Sequence, residues 1–406
     1  MRLLILSFFY TPEPNDIKIH SLAMEMVKRG HEVTVVTTFP NYPYGEIYEG
    51  YQQRWRQWET LDGVRVLRVP LYADHTRSGL KRALSYLSFM VSAAVLAPFL
   101  TGKADVMWVY HPPLTTGLAG WWVSLLKRVP FVYEIQDMWP DTLSATGMLS
   151  NERALRVVGG VAKWLYNRTS ALTVNSPGMK HNLIDKAVPT EKIHVMPNWA
   201  DEALYRPIER DPELGERYGL NGRFNLMFGG NMGLVQALET GIDAAERLQD
   251  MQDFQLVLIG DGLVLPNIQA EVTRRELTNV RFIERQPAAN MPRFFAWADA
   301  LWLPLKDDPL FAMTIPAKTQ AYLACGRPVI CSVPGDGADV IREAGAGIVC
   351  PPEDADALER AIRDLHAMPR EKREAIGAAG HDAYMTHYRH DLIVDRYEEL
   401  FRGISR

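Results

Sequence analysis

Residues 2–38 read RLLILSFFYTPEPNDIKIHSLAMEMVKRGHEVTVVTT and contain one complete strand–helix–strand unit. The apolar run RLLILSF (2–8) predicts a strand, and apolar residues at helical spacing over residues 17–29 predict a helix that Gly30 ends. EVTVVTT (32–38) then predicts a second strand. This order of elements indicates a parallel sheet covered by helices on both faces.

The same alternation continues in two series. The first series adds strands at residues 64–69, 105–110, 131–135, 171–175 and 192–196. The proline-, asparagine- and aspartate-rich stretch 196–213 interrupts it. A second series follows with strands at residues 224–230, 254–260, 280–283, 300–305 and 328–332, and a polar helical tail covers about 381–403. The pattern predicts two doubly wound α/β domains, residues 1–198 and residues 199–380.

The composition excludes several classes of function. The chain has 406 residues, 47% of them apolar and 23% charged, which is ordinary for a globular protein with a sizeable core. Its formal net charge of -5 gives no overall positive field, so nucleic acid is not an expected partner. Cys325, Cys331 and Cys350 form neither a CxxC pair nor a zinc-binding pattern, and their scarcity indicates reduced thiols in the cytoplasm.

One segment has to be weighed as a membrane span. Residues 83–100, ALSYLSFMVSAAVLAPFL, carry no charge over a length at the lower limit for crossing a bilayer. The segment also contains three serines and a proline, and the basic pair Lys81–Arg82 stands at one end only. We therefore expect a buried or membrane-resting helix, and this region with Trp121 and Trp122 is the candidate lipid contact. Burial of the tryptophans in the core is the competing interpretation.

Polar residues follow the first two strands, at the edge where parallel sheets bind ligands. Glu13, Asn15 and Asp16 come after the first strand, and Asn41 lies in the aromatic loop after the second. Amide and carboxylate groups beside aromatic rings suit sugar hydroxyls, so these four residues are candidates for binding an acceptor. Asp16 fits a plain N-cap of the following helix equally well.

Two further candidates follow later strands of the first series. His111 comes directly after DVMWVY (105–110), where its ring can hydrogen-bond a sugar or a leaving phosphate. Asp137 follows FVYEI (131–135) together with Gln136. Both His111 and Asp137 also fit a purely structural role.

Two glycine-rich turns follow the first two strands of the second series, FGGNMGLVQALE (228–239) and LVLIGDG (256–262). Glycine lets a backbone approach a ligand closely, and the helix start after the first turn favours phosphate. Neither turn matches a dinucleotide-binding fingerprint or a phosphate-binding P-loop. The candidates for donor contact in these turns are Gly230, Asn231, Gln236, Gly260, Asp261 and Gly262.

The segment TIPAKTQAYLACGRPVIC (314–331) carries the most specific signal. Pro316 suits the first position of a helix, and Lys318 then falls in the first turn, where a cation opposes the helix dipole. An anionic ligand at the helix start would remove that conflict. Gln320 and Tyr322 are placed to reach a base or ribose. An ordinary helix-to-strand crossover explains everything in the segment except Lys318.

Several segments, in this order, resemble the family 4 retaining glycosyltransferases of the GT-B fold. They are RGHEVTVVT (29–37), IHVMPN (193–198), LIGDG (258–262), MPRFFAWADALWLPL (291–305) and PAKTQAYLACGRPVI (316–330). Within that family the chain looks most like bacterial enzymes of O-antigen, capsule and colanic-acid assembly, including the fucosamine-transferase-like group. The resemblance implies two facing Rossmann-like domains, with a C-terminal helix (381–406) that crosses back to the first domain.

The resemblance also implies the reaction. A sugar, expected to be an N-acetylated or 6-deoxy hexosamine, moves from a UDP-sugar to a lipid-diphosphate-linked glycan, with retention at the anomeric carbon. No bound metal or other cofactor is expected. Lys318 would neutralise the leaving diphosphate on the second domain, while His111 and Asp137 would contact the acceptor or handle its proton on the first. The enzyme would be cytoplasmic and peripheral on the inner membrane surface.

The chain departs from the family at the donor site. Many relatives carry a Glu-x7-Glu pair where Met313 and Ala321 stand here, and an Arg and a Lys where Asn231 and Gln236 stand. The usual donor contacts therefore cannot be transferred to this chain. An epimerase or phosphorylase of the same fold, or a non-catalytic assembly protein, is the alternative. A nicotinamide dehydrogenase fits least, because its fingerprint is missing.

Overall fold

The strand–helix–strand unit of residues 2–38 determines how the first sheet begins. In the computed structural model, which describes residues 1–14, 17–74, 79–145 and 147–405, β1 spans Arg2–Leu6, α1 spans Ile17–Lys28 and β2 spans Glu32–Thr38. The two strands pair in parallel, and α1 packs its apolar side against β2. Gly30 adopts a φ of 82°, which suits the glycine that ends a helix.

The chain forms two compact units. Unit 1 comprises Met1–Pro197 and Ile393–Arg406, and unit 2 comprises Asn198–Leu392. Each unit has its own parallel sheet and its own helices.

Unit 1 is built on an eight-stranded sheet. Its further strands are β3 Gln57–Leu61, β4 Val64–Val69, β5 Val106–His111, β6 Phe131–Ile135, β7 Ala171–Val174 and β8 Ile193–Val195. Their order is β3-β4-β2-β1-β5-β6-β7-β8, and every pairing is parallel except that of β3 with β4. The chain builds one side of the sheet from β1 and the other from β5, so the switch point where such sheets bind ligands lies between these two strands.

The helices of unit 1 cover this sheet. They are α1, α2 Gly79–Leu100, α3 Leu114–Lys127, α4 Asp141–Ala145, α5 Glu152–Tyr166 and α6 Pro177–Asp185, with a 3-10 turn at Thr190–Lys192. Helices α2 and α3 pack along each other and against the sheet. Within the described residues, α2 is the one helix whose length and apolar composition would allow it to cross a membrane.

Unit 2 repeats the architecture with six strands. They are β9 Phe224–Asn231, β10 Phe254–Asp261, β11 Val280–Ile283, β12 Ala300–Pro304, β13 Val329–Ser332 and β14 Gly347–Val349. The order is β11-β10-β9-β12-β13-β14 and all pairings are parallel. The switch point therefore lies between β9 and β12.

The helices of unit 2 alternate with these strands. They are α7 Pro212–Tyr218, α8 Glu239–Arg247, α9 Leu265–Arg274, α10 Met291–Phe295, α11 Pro309–Ala312, α12 Lys318–Ala324, α13 Asp336–Glu343, α14 Ala355–Ala367 and α15 Arg370–His387. Two 3-10 turns, Leu234–Gln236 and Ala288–Asn290, complete the unit. Helix α16, His390–Ile404, begins in unit 2 and continues into unit 1.

The C-terminal tail differs from the single helix that the sequence predicts from residue 381. Tyr384, in α15, is buried in unit 2, where its hydroxyl donates to the Ala200 carbonyl at 3.1 Å. Tyr397, in α16, is buried in unit 1, where its hydroxyl donates to a Glu134 carboxylate oxygen at 2.7 Å. The return to the first unit therefore begins at Ile393, since Asn198–Leu392 form the second unit.

Candidate functional site

The glycine turns of unit 2 bring two strand ends into close backbone contact. Gly260 stands opposite Gly230 in the β9–β10 pairing, and a Cβ on Gly260 would lie 2.0 Å from the Gly230 carbonyl oxygen. A Cβ on Gly262 would lie 2.4 Å from the Met232 oxygen. The neighbouring backbone therefore requires glycine at both positions, whether or not a ligand binds there, and the donor contacts of Gly260 and Gly262 stay predictions.

Gly230 has a different neighbour. Its φ is 136°, and a Cβ there would lie 2.8 Å from Cε of Lys318. The absence of a side chain at the end of the central strand β9 therefore leaves the space that the Lys318 side chain fills. The turn after β9 and the first residue of α12 thus form one site at the switch point of unit 2.

The ammonium group of Lys318 is half-buried and lacks a carboxylate partner. Its Nζ donates to Oε1 of Gln236 at 3.3 Å and lies 3.6 Å from the centroid of the Phe228 ring. No ion pair forms at Lys318 among the residues that the structure describes. Burial lowers the pKa of Lys318 to about 7. Such a group favours an anionic ligand, because the ligand would supply the missing counter-charge.

The helix that carries Lys318 is shorter than predicted. It begins at Lys318, with Ala317 at the N-cap, so Pro316 precedes the helix and does not occupy its first position. The Pro316 carbonyl accepts the Thr319 N–H at 2.9 Å. The prediction for Pro316 is corrected, while Lys318 does stand in the first turn.

Two side chains of α12 have different environments. Oε1 of Gln320 is buried and has no hydrogen-bond partner among the described residues, so it can still accept a hydrogen bond. Tyr322 is core: its ring meets Phe295 edge-on at 5.2 Å, and its hydroxyl accepts the Gly229 N–H at 3.1 Å. Helix α10 thus contacts the ring of Tyr322 and strand β9 its hydroxyl, and contact of Tyr322 with a base or ribose stays a prediction.

Asn231 and Asp261 lie opposite each other at the ends of β9 and β10, and both are exposed. The Asp261 carboxylate accepts the Gly262 N–H at 2.7 Å, which orients it at the turn. The structure thus brings Asn231, Gln236 and Lys318 to one edge of the unit 2 sheet, as expected for residues that follow parallel strands.

In unit 1, Glu13 holds two loops together. Its buried carboxylate accepts backbone N–H groups from Tyr10 at 3.1 Å, and from Asn41 and Tyr42 at 2.8 Å each. Burial raises the pKa of Glu13, and these three hydrogen bonds oppose that rise. Both Glu13 oxygens therefore bind the loops after β1 and β2, and a contact of Glu13 with an acceptor stays a prediction. Asn15 and Asp16 lie outside the described residues.

Asn41 is buried beside Glu13. Its Nδ2 donates to the Phe39 carbonyl at 2.9 Å, while its Oδ1 has no partner within the described chain. An acceptor hydroxyl that reached this oxygen would satisfy a buried group that otherwise costs free energy.

His111 ends β5, at the switch point of unit 1. Its ring is buried between Trp139, 5.3 Å away, and Tyr133, 5.9 Å away, and neither ring nitrogen has a partner among the residues described. Burial lowers the pKa of His111 to about 3. The ring is therefore neutral near pH 7 and can donate one hydrogen bond and accept one.

Asp137 follows β6 at the same edge of the sheet. Burial raises its pKa, and its carboxylate forms no hydrogen bond or ion pair in the described part of the chain. The neighbouring Gln136 is fixed, since it donates to Glu134 at 2.5 Å and accepts from Asn175 at 3.2 Å. His111 and Asp137 therefore both offer unused hydrogen-bonding groups at the carboxyl ends of β5 and β6.

The sequence interpretation missed a buried polar network under this edge. Glu134, fully buried in β6, accepts from Lys18 at 2.7 Å, from Tyr397 at 2.7 Å and from Thr173. The sequence did contain a signal for this network, namely the carboxylate of Glu134 within the apolar run FVYEI. A charged side chain in a strand that is covered on both faces needs buried partners. Which partners it finds depends on the fold.

Two family models match the chain. A glycosyl transferase 4-like domain matches residues 17–199, and glycosyl transferases group 1 matches residues 223–368. The first match falls on unit 1 and the second on unit 2.

Curated relatives extend the likeness over most of the chain. The chain is 27% identical over 383 residues to the putative colanic acid biosynthesis glycosyl transferase WcaI of Escherichia coli K12, which covers 91% of this chain and 93% of that protein. It is 25% identical over 240 residues to the probable glycosyltransferase WbjE of Pseudomonas aeruginosa, covering 58% and 59%. It is 26% identical over 268 residues to the alpha-D-kanosaminyltransferase of Streptomyces kanamyceticus, covering 61% and 66%.

Solved structures show the same fold. Alr3699/HepE from Anabaena, in complex with UDP and glucose, superposes with a TM-score of 0.74 at 17% identity, over 99% of both chains. A trehalose-6-phosphate structure from E. coli bound with UDP-2-fluoro glucose superposes with a TM-score of 0.74 at 13% identity, over 100% of both chains.

Proposed function

Because the chain is a glycosyltransferase of the GT-B fold, with a 4-like domain followed by a group 1 domain, we propose that it takes its sugar from a UDP-sugar. The transferred sugar would be an N-acetylated or 6-deoxy hexosamine, and the acceptor a lipid-diphosphate-linked glycan of bacterial surface polysaccharide synthesis. Likeness to a colanic acid transferase and to a kanosaminyltransferase supports this choice. Two neighbours of the same fold bind UDP or a UDP-sugar analogue.

The observation that carries the donor assignment is the half-buried ammonium of Lys318 without a carboxylate partner. It lies at the switch point of the unit 2 sheet, where such sheets bind ligands, and its side-chain stem packs beside Gly230. As the bond between the anomeric carbon and the diphosphate breaks, negative charge grows on the leaving oxygen. Lys318 would stabilise that charge, and Gln236 would hold the ammonium in place.

The acceptor side would use unit 1. The neutral His111 ring, Asp137 and Asn41 offer hydrogen-bonding groups at the carboxyl ends of the strands. We propose that they orient the acceptor hydroxyl, whose proton leaves with the departing phosphate while its oxygen bonds to the anomeric carbon with retention. Because the pKa of His111 is about 3, His111 is not expected to produce an inflection near pH 6.5 in the rate profile.

Location and metal use complete the proposal. A lipid-linked acceptor would place the enzyme peripherally on the cytoplasmic face of the membrane. We further propose that transfer needs no metal ion, with the Lys318 ammonium offering the positive charge at the leaving diphosphate.

A panel of nucleotides tests the donor assignment. UDP and UDP-sugars are expected to raise the melting temperature of the protein, and to do so more than GDP, dTDP or ADP at equal concentration, because a ligand of the folded state alone stabilises it. If UDP, GDP, dTDP and ADP all raised the melting temperature equally, or if none of them changed it, the assignment of a UDP-sugar as the donor would be wrong.

An acceptor-omission assay separates the alternatives. Turnover of the UDP-sugar is expected only when a lipid-linked glycan is present. Conversion of the donor without an acceptor would indicate an epimerase, and a requirement for free phosphate would indicate a phosphorylase. Nucleotide binding with no turnover on any lipid acceptor would indicate an assembly protein.

The pH dependence of UDP binding tests Lys318. A free pKa of about 7 means that Lys318 loses its charge as the pH rises above 7, while a bound diphosphate holds the proton and raises that pKa. The dissociation constant of UDP is therefore expected to increase between pH 7 and pH 9, by at most about tenfold per unit, with proton uptake on binding. Titration calorimetry in two buffers of different ionisation enthalpy measures the dissociation constant of UDP and the number of protons taken up on binding. The Lys318→Arg variant should bind UDP with a dissociation constant that does not change over this pH range. If the variant showed the same pH dependence as wild type, a group other than Lys318 would be responsible for it.

A further inference from the structure

The surface of unit 1 carries a continuous apolar stripe along α2. Six side chains, each at least 43% exposed, follow one another at steps of three or four residues: Leu80, Leu84, Leu87, Val91, Val95 and Phe99. These steps place them on one side of the helix. At a rise of about 1.5 Å per residue, the stripe from Leu80 to Phe99 is about 29 Å long.

Helix α3 widens the stripe. Trp122, Leu125 and Leu126 are exposed, and α3 packs along α2. Trp121 instead turns inward and packs against Trp164 of α5, with ring centroids 4.7 Å apart. We call the nine exposed residues of α2 and α3 the α2–α3 face. An apolar surface of this extent marks an interaction site.

The two segments that carry the α2–α3 face contain basic residues but no acidic ones. Residues 79–104 and 114–130 contain five basic residues, Lys81, Arg82, Lys103, Lys127 and Arg128, and no Asp or Glu, although the whole chain has a net charge of -5. Lys81 is paired with Asp74 at 3.6 Å, and Lys127 donates to the Thr101 and Gly102 carbonyls at 2.7 Å. Arg82, Lys103 and Arg128 form no ion pair within the described chain.

The opposite side of α2 belongs to the core. Ser85, Phe89, Ala93 and Ala97 are buried, and the Phe89 ring meets that of Phe8 at 5.4 Å. A helix fixed in this way cannot cross a bilayer without taking the sheet beneath it into the hydrocarbon, where unpaired strand edges are excluded. Only its outer side is available to lipid.

We propose that the α2–α3 face docks unit 1 on an anionic bilayer surface, with α2 lying in the membrane plane. Its apolar side chains enter the boundary between headgroups and acyl chains, while Arg82, Lys103 and Arg128 meet the lipid phosphates. A second copy of the chain fits the surface less well, because a two-fold pairing would bring these cations together without a carboxylate.

The docking surface adjoins the edge of the sheet where an acceptor would bind. The link between docking and the acceptor rests on the proposed function. Tyr86, next to Leu87 in α2, turns toward the sheet and meets the Phe8 ring at 5.1 Å. Burial raises the pKa of Tyr86, and nearby Asp137 contributes to the rise. The first turns of α2 therefore lie beside Phe8, which follows β1 at the edge where an acceptor would bind, so that a docked enzyme would hold this edge near the lipid surface.

Co-sedimentation of the full chain with vesicles tests the docking. One set of vesicles is phosphatidylcholine, and the other contains one third phosphatidylglycerol. Wild-type protein should bind the anionic set more tightly, and 0.5 M salt should weaken that binding. Val91→Glu/Val95→Glu should bind at least tenfold more weakly. Replacing Arg82, Lys103 and Arg128 by glutamine should lower the affinity for the anionic vesicles by about fivefold per charge removed. The affinity for phosphatidylcholine vesicles should not change.

The matched control is Leu263→Glu, which places the same charge at an exposed leucine of unit 2 and should sediment like wild type. Equal vesicle binding by the Val91→Glu/Val95→Glu variant and wild type would overturn the proposal. The proposal would also be overturned if wild-type protein did not bind vesicles but formed a dimer without lipid, and if the Val91→Glu/Val95→Glu variant were monomeric. UDP binding by the same variant should be normal, so a failure of docking is distinguishable from a failure of the donor assignment.

Discussion

Lys318→Met is expected to lower the rate of sugar transfer by about a hundredfold to a thousandfold, the range found when one preorganised charge-stabilising group is removed. The ammonium would act where negative charge develops on the leaving diphosphate, so its loss should reduce kcat and also weaken UDP binding. Methionine keeps the side-chain stem that fills the space beside Gly230. Initial rates at saturating donor, together with the dissociation constant of UDP, measure the effect.

Two comparisons separate this effect from misfolding. The folded pKa of Lys318 lies below its unfolded value, so the unfolded chain binds more protons between pH 7 and 10.5. The buried charge therefore weakens the fold below pH 7, and the penalty disappears as the pH rises. Lys318→Met should melt no lower than wild type at pH 6.5. Lys372→Met, at an exposed lysine of α15, should keep full activity. Near-normal kinetics of Lys318→Met would end the proposed role of Lys318.

Glu134→Ala is expected to destabilise unit 1 by about 3–5 kcal/mol, the usual cost of leaving one member of a buried ion pair without its partner. Glu134 is fully buried and accepts from Lys18, Thr173 and Tyr397. Burial already lowers the pKa of Lys18, and Glu134 opposes that shift. Hydrogen exchange of peptides from each unit measures the loss, which should appear in unit 1, including the segment around Tyr397, and not in unit 2.

Two variants serve as references for Glu134→Ala. Glu374→Ala breaks an exposed pair with Arg370 and should leave exchange unchanged, because exposed pairs contribute little. The double variant Lys18→Met/Glu134→Leu removes both buried charges and should cost less than Glu134→Ala alone. If Glu134→Ala exchanged like Glu374→Ala, the buried network would have no part in the stability of unit 1.

The alternation of strands and helices made the fold predictable, because apolar periodicity and glycine ends act locally. The strand VRVLRV (64–69) coincides with β4, for example. The neighbouring β3 was missed, although the Asp62–Gly63 pair that precedes β4 was a readable hairpin signal. Both residues have positive φ, 49° and 83°, as a two-residue turn between antiparallel strands requires. The segment QWETL was not recognised as a strand because polar residues interrupt it. None of its side chains is fully buried in the structure.

Individual side chains were harder to predict than their positions. The sequence places Glu13, Tyr322 and Lys318 correctly beside strand or helix ends. It does not show that Glu13 would bind three backbone N–H groups, that Tyr322 would face the core, or that Lys318 would have no carboxylate partner. Such outcomes depend on contacts between residues far apart in the chain. The position of Lys318 in the first turn of a helix was predictable because it depends on local sequence alone, while its role toward an anionic ligand stays a prediction.

The passage of α16 into unit 1 affects the order in which the protein can be completed during synthesis. Tyr397 and Phe401, which bury themselves against Trp108, leave the ribosome after all of unit 2 has been made. Domains usually fold as units during synthesis, the N-terminal one first. Here the first unit to emerge is the last to be finished, and Glu134 lacks its Tyr397 partner until then. The nascent chain therefore lacks the Tyr397 and Phe401 side chains that cover Trp108 until the last part of translation.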